Sequence, residues 1–436
     1  MAYTPEVPAD LRSAGAFEKA TYSKVTWRLV PLLFVCYVVA YLDRVNVGFA
    51  KLQMLSDLRF SETVYGLGAG IFFIGYMLFE VPSNVILHRV GARLWIARIM
   101  ITWGLVSAAM VFVKTPATFY IIRFILGLAE AGFFPGVILY ITYWYPSHRR
   151  AKITALFMAS IPISGLIGGP LSGWIMHTFH DFAGLAGWQW TFLIEAAPSL
   201  VVGVVVIFCL HDRIRQAHWL SEDEKVLLEK EIAREAEQKG DYSVARTLAS
   251  PRVWFMSLIY FSFVMGLYGI SFWLPSIINN AGVKDPLDVG LLTAIPYAAA
   301  VLGMVCVSRS ADRRRERRWH IAVPGLLGAA GLVLSAVYSQ NLVWAMTALT
   351  LATLGIITTL PLFWSLPTAF LGGAAAAAGI ALINSLGNVA GFVAPYMVGW
   401  LKDLTHSTNA GLYALAAWLL IGVVATLSVP AHLVNK

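Results

Sequence analysis

"RVGARLW" at residues 89–95 and "RRRERRW" at residues 313–319 carry the same side chains at the same spacing. Arg89, Arg93 and Trp95 align with Arg313, Arg317 and Trp319 at one offset. Each stretch follows a long apolar run, and one copy lies in each half of the 436-residue chain. "GGPLSGW" at 168–174 echoes "VAPYMVGW" at 393–400 in the same way. Self-similarity at a fixed offset marks a duplicated architecture. The unit that repeats is therefore a block of apolar runs.

Composition says what those runs are. The chain is 58% hydrophobic and 13% charged, with mean hydropathy +0.70. Soluble domains carry about 25% charged residues, so this chain lacks the polar surface for a water-soluble body of its size. A bilayer core of ~30 Å needs roughly 20 apolar residues per helix. Twelve such runs lie near 27–50, 64–87, 94–113, 117–144, 152–178, 188–210, 253–279, 288–309, 320–338, 342–364, 369–400 and 410–431. The softest boundary is the break near 365–373, which holds Pro367 and paired glycines but no charge. The expectation is an all-α membrane protein with 12 transmembrane helices in two six-helix halves related by a pseudo-twofold axis. Its parts are an N-terminal tail (1–24), a first bundle (25–210), a central loop (211–250) and a second bundle (251–436). In that loop, Ser221 and Glu224 form a Ser-x-x-Glu capping box ahead of an amphipathic helix.

The net charge of +8 sits in short basic clusters between runs 2–3, 4–5 and 8–9. That distribution marks cytoplasmic loops, so both termini are expected in the cytoplasm and nucleic acid is not an expected partner. Residues 1–24 have no apolar core or cleavage site, so no cleaved signal peptide is expected. Cys36, Cys209 and Cys306 lie in or beside apolar runs and read as small core residues. No nucleophile–base set, phosphate loop or metal-ligand spacing is present, so the chain does not read as an enzyme.

"YVVAYLDRVNVGFA" (37–50) places Asp43 and Arg44 inside the first run. A charge at the bilayer centre costs at least ~2.5–3.5 kcal/mol on insertion scales, and such residues usually serve function. The first half holds Asp43, Arg44, Glu80, Arg123, Glu130 and Glu195, whereas no acid or base lies well inside a second-half run. Arg123 and Glu130 are seven apart and share a helix face. If that face points inward, two arginines and two carboxylates converge on one cavity. Guanidiniums hold carboxylates bidentately, and a carboxyl there could exchange a proton. The alternative is a set of buried ion pairs that only pin helices. Neighbours on a helix do not face each other, so Asp43 and Arg44 are expected to have separate partners. Glu195 has no assigned role at this level.

The six-plus-six plan resembles the major facilitator superfamily, whose site lies near the midplane between halves. "YLDRVNVGFA", "GIFFIGYMLFEVPSNVILHRVGAR", "RFILGLAEAGFFPGVILYITYWYP", "GWQWTFLIEAAPS" and "AAAAAGIALINSLGNVAGFVAPYMVG" narrow the resemblance to its anion:cation symporter family, with the tartrate branch nearest. The resemblance implies that Asp43 and Glu130 carry coupling protons. It implies that Arg44, Arg123, Tyr76, Trp364, Asn384 and Asn388 contact substrate. The loop signature implies gating by Arg89, Arg93, Asp312 and Arg313, with Glu80 as a further gate. Its first copy departs from the pattern, with Asn84 for a glycine and His88 for the acid. The implied activity is import of a small carboxylate, a tartrate-like hydroxy-dicarboxylate or a sugar acid, by proton symport and alternating access. The proton is the coupling ion and no other cofactor is expected. The setting is a bacterial inner membrane, the partners are lipid and substrate, and the unit is a monomer. Rivals are a symporter of aromatic acids such as phthalate or hydroxyphenylacetate, a drug or metabolite antiporter, and a sensor without flux. The glycines of "SGLIGGPLSG" (164–173) resemble an antiporter pattern, but physically they specify only a bent, closely packed helix.

Overall fold

Proline and glycine punctuate this chain often, yet all the long described elements are helices. In a bilayer every backbone group must be satisfied within the segment, and a helix does so alone. The structure, a computed structural model, describes residues 9–237, 249–368 and 373–434. Among them are twelve helices long and apolar enough to cross a membrane. Spans one to six are Gly15–Leu58, Glu62–Val90, Ala92–Phe112, Pro116–Thr142, Lys152–Thr178 and Gly187–Cys209. Spans seven to twelve are Pro251–Asn280, Pro286–Arg314, Arg318–Val337, Leu342–Pro367, Gly379–Thr405 and Asn409–Ser428. Large apolar side chains stand outward on them, with Trp27 78%, Phe208 77% and Val343 72% exposed. Such a surface suits lipid and not water.

Six crossings per half put the N-terminus, the central segment and the C-terminus at one end, called the inner end below. The first helix, Ala9–Val45, begins well inside the segment that the sequence reads as a tail. Those residues are polar, so hydropathy does not register them, but the helix continues past the apolar run. Glu18 pairs with Arg149 at 2.5 Å and Lys24 with Glu224 at 2.8 Å, which fastens this extension to the inner end. The capping box forms: Glu224 N–H donates to Ser221 Oγ at 3.3 Å, and Ser221 N–H donates to Glu224 Oε2 at 2.8 Å. It starts the helix Glu222–Glu237. The break between spans ten and eleven falls partly on residues 369–372, outside the described residues. Cys36 is buried, but Cys306 is exposed, because the outer face of a membrane helix is as apolar as its core.

The halves meet along two related seams. Span five packs on span eight: a Cβ at Gly290 would lie 2.3 Å from the Gly169 carbonyl oxygen. Span two packs on span eleven: a Cβ at Gly399 would lie 2.4 Å from the Glu62 carbonyl oxygen. The glycines of "SGLIGGPLSG" and the "VAPYMVGW" echo are therefore the two seams. Small residues let backbones approach closely where lipid offers no hydrophobic drive. Both seams close near the outer end.

Overpacking a seam should cost about 1–3 kcal/mol. Gly290→Val is expected to lower the thermal midpoint of the purified protein in detergent. Gly15→Ala, where nothing lies within 4 Å of the new Cβ, should leave it unchanged or slightly higher.

Candidate functional site

A cavity lies between the halves. Span one contributes Tyr37, Tyr41 and Arg44, span two Tyr76, and span four Phe134. Span seven contributes Tyr260 and Tyr268, and span eleven Asn384 and Asn388. Arg44 is the one charged residue on this wall. It donates to Glu130 Oε1 through Nη2, and to the Tyr268 hydroxyl through Nη1 at 3.2 Å. The second of these bonds crosses from one half to the other. The rings of Tyr41, Phe72 and Tyr76 stand 5.8, 5.4 and 5.6 Å from the guanidinium. Such faces attract a cation by roughly 0.5–2 kcal/mol.

Glu130 ends a helical run. Pro116–Glu130 is helical, Ala131 is not, Gly132 takes φ +84°, and Phe133–Thr142 is helical again. Gly132 is obligatory, because a Cβ there would sit 2.3 Å from Ser83 Oγ at a φ that L side chains avoid. Transporters place their sites at such discontinuous helices. One turn pair earlier, Arg123 is fully buried. Its Nε donates to the Gly68 carbonyl at 3.2 Å and its Nη2 to that of Ala69 at 3.3 Å. Gly127 allows this, since a Cβ there would lie 1.9 Å from the Phe72 carbonyl oxygen. Arg123 Nη1 has no hydrogen bond. The Phe72 ring lies 5.2 Å from Arg123, so one ring serves both arginines.

The four charges do not meet in one cavity. Neither Asp43 nor Arg123 is on the cavity wall. A one-residue step turns a side chain by about 100° on a helix, and Asp43 faces spans three and six instead. It accepts from Trp103 Nε1 at 2.8 Å, from Ser107 Oγ at 3.2 Å, and from Ser199 Oγ. Trp364 is also off the wall. It packs behind the cavity against Tyr260, centroids 4.9 Å apart. Tyr76, Asn384 and Asn388 line the cavity. Every charged spanning side chain less than a tenth exposed (Asp43, Arg44, Lys51, Glu80, Arg123, Glu130 and Glu195) belongs to the first half.

The gating residues divide. Glu80 accepts from Asn384 Nδ2 at 3.3 Å and Ser385 Oγ at 3.4 Å, across the halves. Asp312 pairs locally with Arg317 at 2.7 Å. The acid missing from the first loop copy comes from elsewhere. Asp212, just after span six, accepts from the Arg93 backbone N–H at 2.8 Å, and its carboxylate fills the space where Gly91 would carry a Cβ. Arg89 and Arg313 are exposed, and among the described residues neither joins the halves.

A stronger latch lies at the outer end, where sequence reasoning assigned no role. Glu62 bridges Lys51 (2.6 Å) in its own half and Lys402 (2.5 Å) in the other. Asp403 accepts from the Thr63 backbone N–H at 2.7 Å and that of Glu62 at 3.2 Å. It thus caps span two from the opposite half. Lys51 Nζ stands 3.4 Å from the Trp273 ring centroid. The sequence showed these groups only as scattered loop charges; Glu62 and Asp403 each flanking a seam glycine was the available signal.

Asp403→Ala should weaken this cap by about 0.5–2 kcal/mol. Hydrogen exchange at the amides of residues 62–66 is expected to quicken several-fold, with span nine as an unchanged reference.

The Major Facilitator Superfamily profile matches residues 33–395. The metabolite transport protein NicT of Pseudomonas putida is 51% identical over 420 residues, 96% of each chain. A protein of Agrobacterium vitis named as a tartrate transporter is 52% identical over 412 residues, 94% of this chain and 91% of its own. A quinolone resistance transporter of Acinetobacter baumannii is 42% identical over 420 residues, 96% of each chain. Among solved structures, a D-xylose-proton symporter superposes with TM-score 0.75 at 14% identity, covering 94% of this chain and 99% of its own. These relatives agree with the anion:cation symporter resemblance. The chain belongs to the Major Facilitator Superfamily and is a multi-pass membrane transporter, not an enzyme.

Proposed function

We propose that this transporter imports a small organic anion by proton symport, with alternating access about the central cavity. The observation that carries the reading is the Arg44–Glu130 pair, whose arginine lines the cavity with the carboxylate behind it. A proton on Glu130 removes the anion that Arg44 holds. The guanidinium is then a buried cation without a counter-charge, which costs several kcal/mol. A substrate carboxylate supplies that charge. Proton and anion therefore bind together more readily than either alone, which is the thermodynamic content of symport. Arg123 keeps one free donor for a second carboxylate or a moving Glu130. Asp43 is the second proton carrier in this reading.

The preferred substrates are hydroxy-dicarboxylates or sugar acids. Tyrosine hydroxyls and the Asn384 and Asn388 amides offer partners to substrate hydroxyls, and the relative named for tartrate supports this class. A second reading, aromatic carboxylates, draws on the six aromatic rings among Tyr37, Tyr41, Tyr76, Phe134, Tyr260 and Tyr268 in the wall. The inner end is assigned to the cytoplasm by its arginine-rich loops. The membrane is assigned as the bacterial inner membrane and the working unit as a monomer.

Proteoliposomes with an inward proton gradient should accumulate labelled tartrate, and a protonophore should abolish the accumulation. Arg44→Lys, Arg123→Ala and Glu130→Gln are each expected to lose at least about ten-fold in gradient-driven uptake, the effect of ~1.4 kcal/mol. Uptake unchanged in Arg123→Ala and Glu130→Gln would overturn the symport reading. Competition by phthalate stronger than by sugar acids would favour the aromatic class. Accumulation driven only by the opposite gradient would mark an antiporter.

A further inference from the structure

The first half buries one carboxyl that the cavity does not use. Glu195, in span six, is 2% exposed. Its Oε1 accepts from Ser172 Oγ of span five at 2.6 Å, and its Oε2 has no hydrogen bond. Asn46 stands beside it from span one. Asn46 is 1% exposed, and neither of its amide atoms is in a hydrogen bond of good geometry. Burying such groups without a well-formed bond costs roughly 1–3 kcal/mol each, and the Glu195 carboxyl and Asn46 amide face each other here, so a small hydrogen-bonding ligand between them would satisfy both.

A second cavity supplies the place for one. Asn46, Ser172, Ser164, Ser271, Thr293 and Tyr297 line it, between spans one and five of the first half and seven and eight of the second. It is mostly apolar and has room for about one water, which needs two to four polar partners such as these. It lies on the seam nearer the outer end and shares no lining residue with the central cavity. Asp43 accepts from Ser199, which is one helical turn after Glu195 on span six.

We propose that Glu195 is a proton-exchanging site, fed by water in the seam cavity and coupled to Asp43. The ligand is the proton, carried by water held between Asn46 and Ser172. The step is a proton transfer from a protonated water (hydronium) in the seam cavity to Glu195 Oε2, leaving neutral water, with the Ser172 bond to Oε1 kept. Asp43 is the other titratable group acting on Glu195. Among the described residues, Ser172 of span five is its hydrogen-bond donor, and the groups acting on it are Ser172, Asn46 and Asp43, none of them a cation. A charge gained or lost at either acid is therefore felt by the other without an ion pair to absorb it. This site gives the outer end a proton entry separate from the substrate path. Its use in transport rests on the symport reading, but its existence does not.

The test is infrared titration of carboxyl bands in the full chain in liposomes, over about pH 4–10, without substrate. Expected is a titrating carboxylic-acid band that disappears in Glu195→Gln and shifts in Asp43→Asn. Glu195→Gln keeps an acceptor for Ser172, so a merely structural role predicts a wild-type spectrum. A Glu195→Gln spectrum that superimposes on wild type, or a Glu195 band indifferent to Asp43→Asn, would overturn the proposal. If Glu195→Gln does not fold, Ser172→Ala carries the test: the band must move there, and an unmoved band counts against the site. Failure of the symport reading shows separately, in the wild-type uptake assay.

Discussion

Charge inside a bilayer has to be neutralised within the protein, and here the Arg44–Glu130 pair meets that requirement where substrate would bind. Much of the first half follows from it. Span four breaks after Glu130, which ends the regular helix at the acid. Gly132 permits the break, and Gly127 permits the close approach of spans two and four. That approach brings backbone carbonyls of span two to Arg123, so a second guanidinium is buried with carbonyls in place of a carboxylate. The second half lends neutral groups, Tyr268 and the asparagines of span eleven, and needs no charge of its own. Division of labour around the cavity is therefore a solvation economy: the Arg44–Glu130 pair stays within one bundle and only hydrogen bonds cross there, while the crossing ion pair, Glu62–Lys402, lies at the outer end.

The crossing contacts are uneven along the membrane normal. Toward the outer end lie the glycine seams, the Glu62 bridge and the Asp403 cap. Toward the inner end, the described crossing bonds are the long ones from Asn384 and Ser385 to Glu80. Two bundles held so tightly at one end and so lightly at the other can rock only by giving up the outer set. Glu62 is well placed to respond, because one carboxylate serves a lysine from each half. Parting the halves strands Lys402 and leaves the Lys51 pair intact.

How much of this was legible in the sequence depends on the kind of signal. The twelve spans and the duplicated plan were legible because apolar length and repeat offset are one-dimensional properties. The capping box was legible for the same reason. Arg44 could be placed because a rare charge in an apolar run must point inward, whereas Tyr76, Asn384 and Asn388 came from the family resemblance. The convergence of all four charges was not correct, since helical arithmetic gives a face but not which neighbour that face meets. Asp43 turns instead to Trp103, Ser107 and Ser199 of its own half, and the Phe72 ring stands beside both Arg123 and Arg44. Asp212 and the Glu62–Lys402 bridge were invisible because their partners are 119 and 340 residues away. Only packing brings them together.

Asp43 and Arg44 show how adjacency can separate functions while linking them. Arg44 bonds Tyr268 in the opposite half, so its partners change when the halves move. Asp43 bonds Trp103, Ser107 and Ser199 of its own half, so rocking by itself leaves its partners in place. Neighbouring backbone positions on one helix cannot move independently. A shift of span one that draws Arg44 away from Tyr268 therefore strains the three bonds at Asp43. Protonating that carboxyl changes how strongly it accepts from three donors at once. In the proposed symport reading the pair would transmit in both directions: the state of the halves would reach Asp43, and a proton on that carboxyl would bias the halves through a single turn of helix.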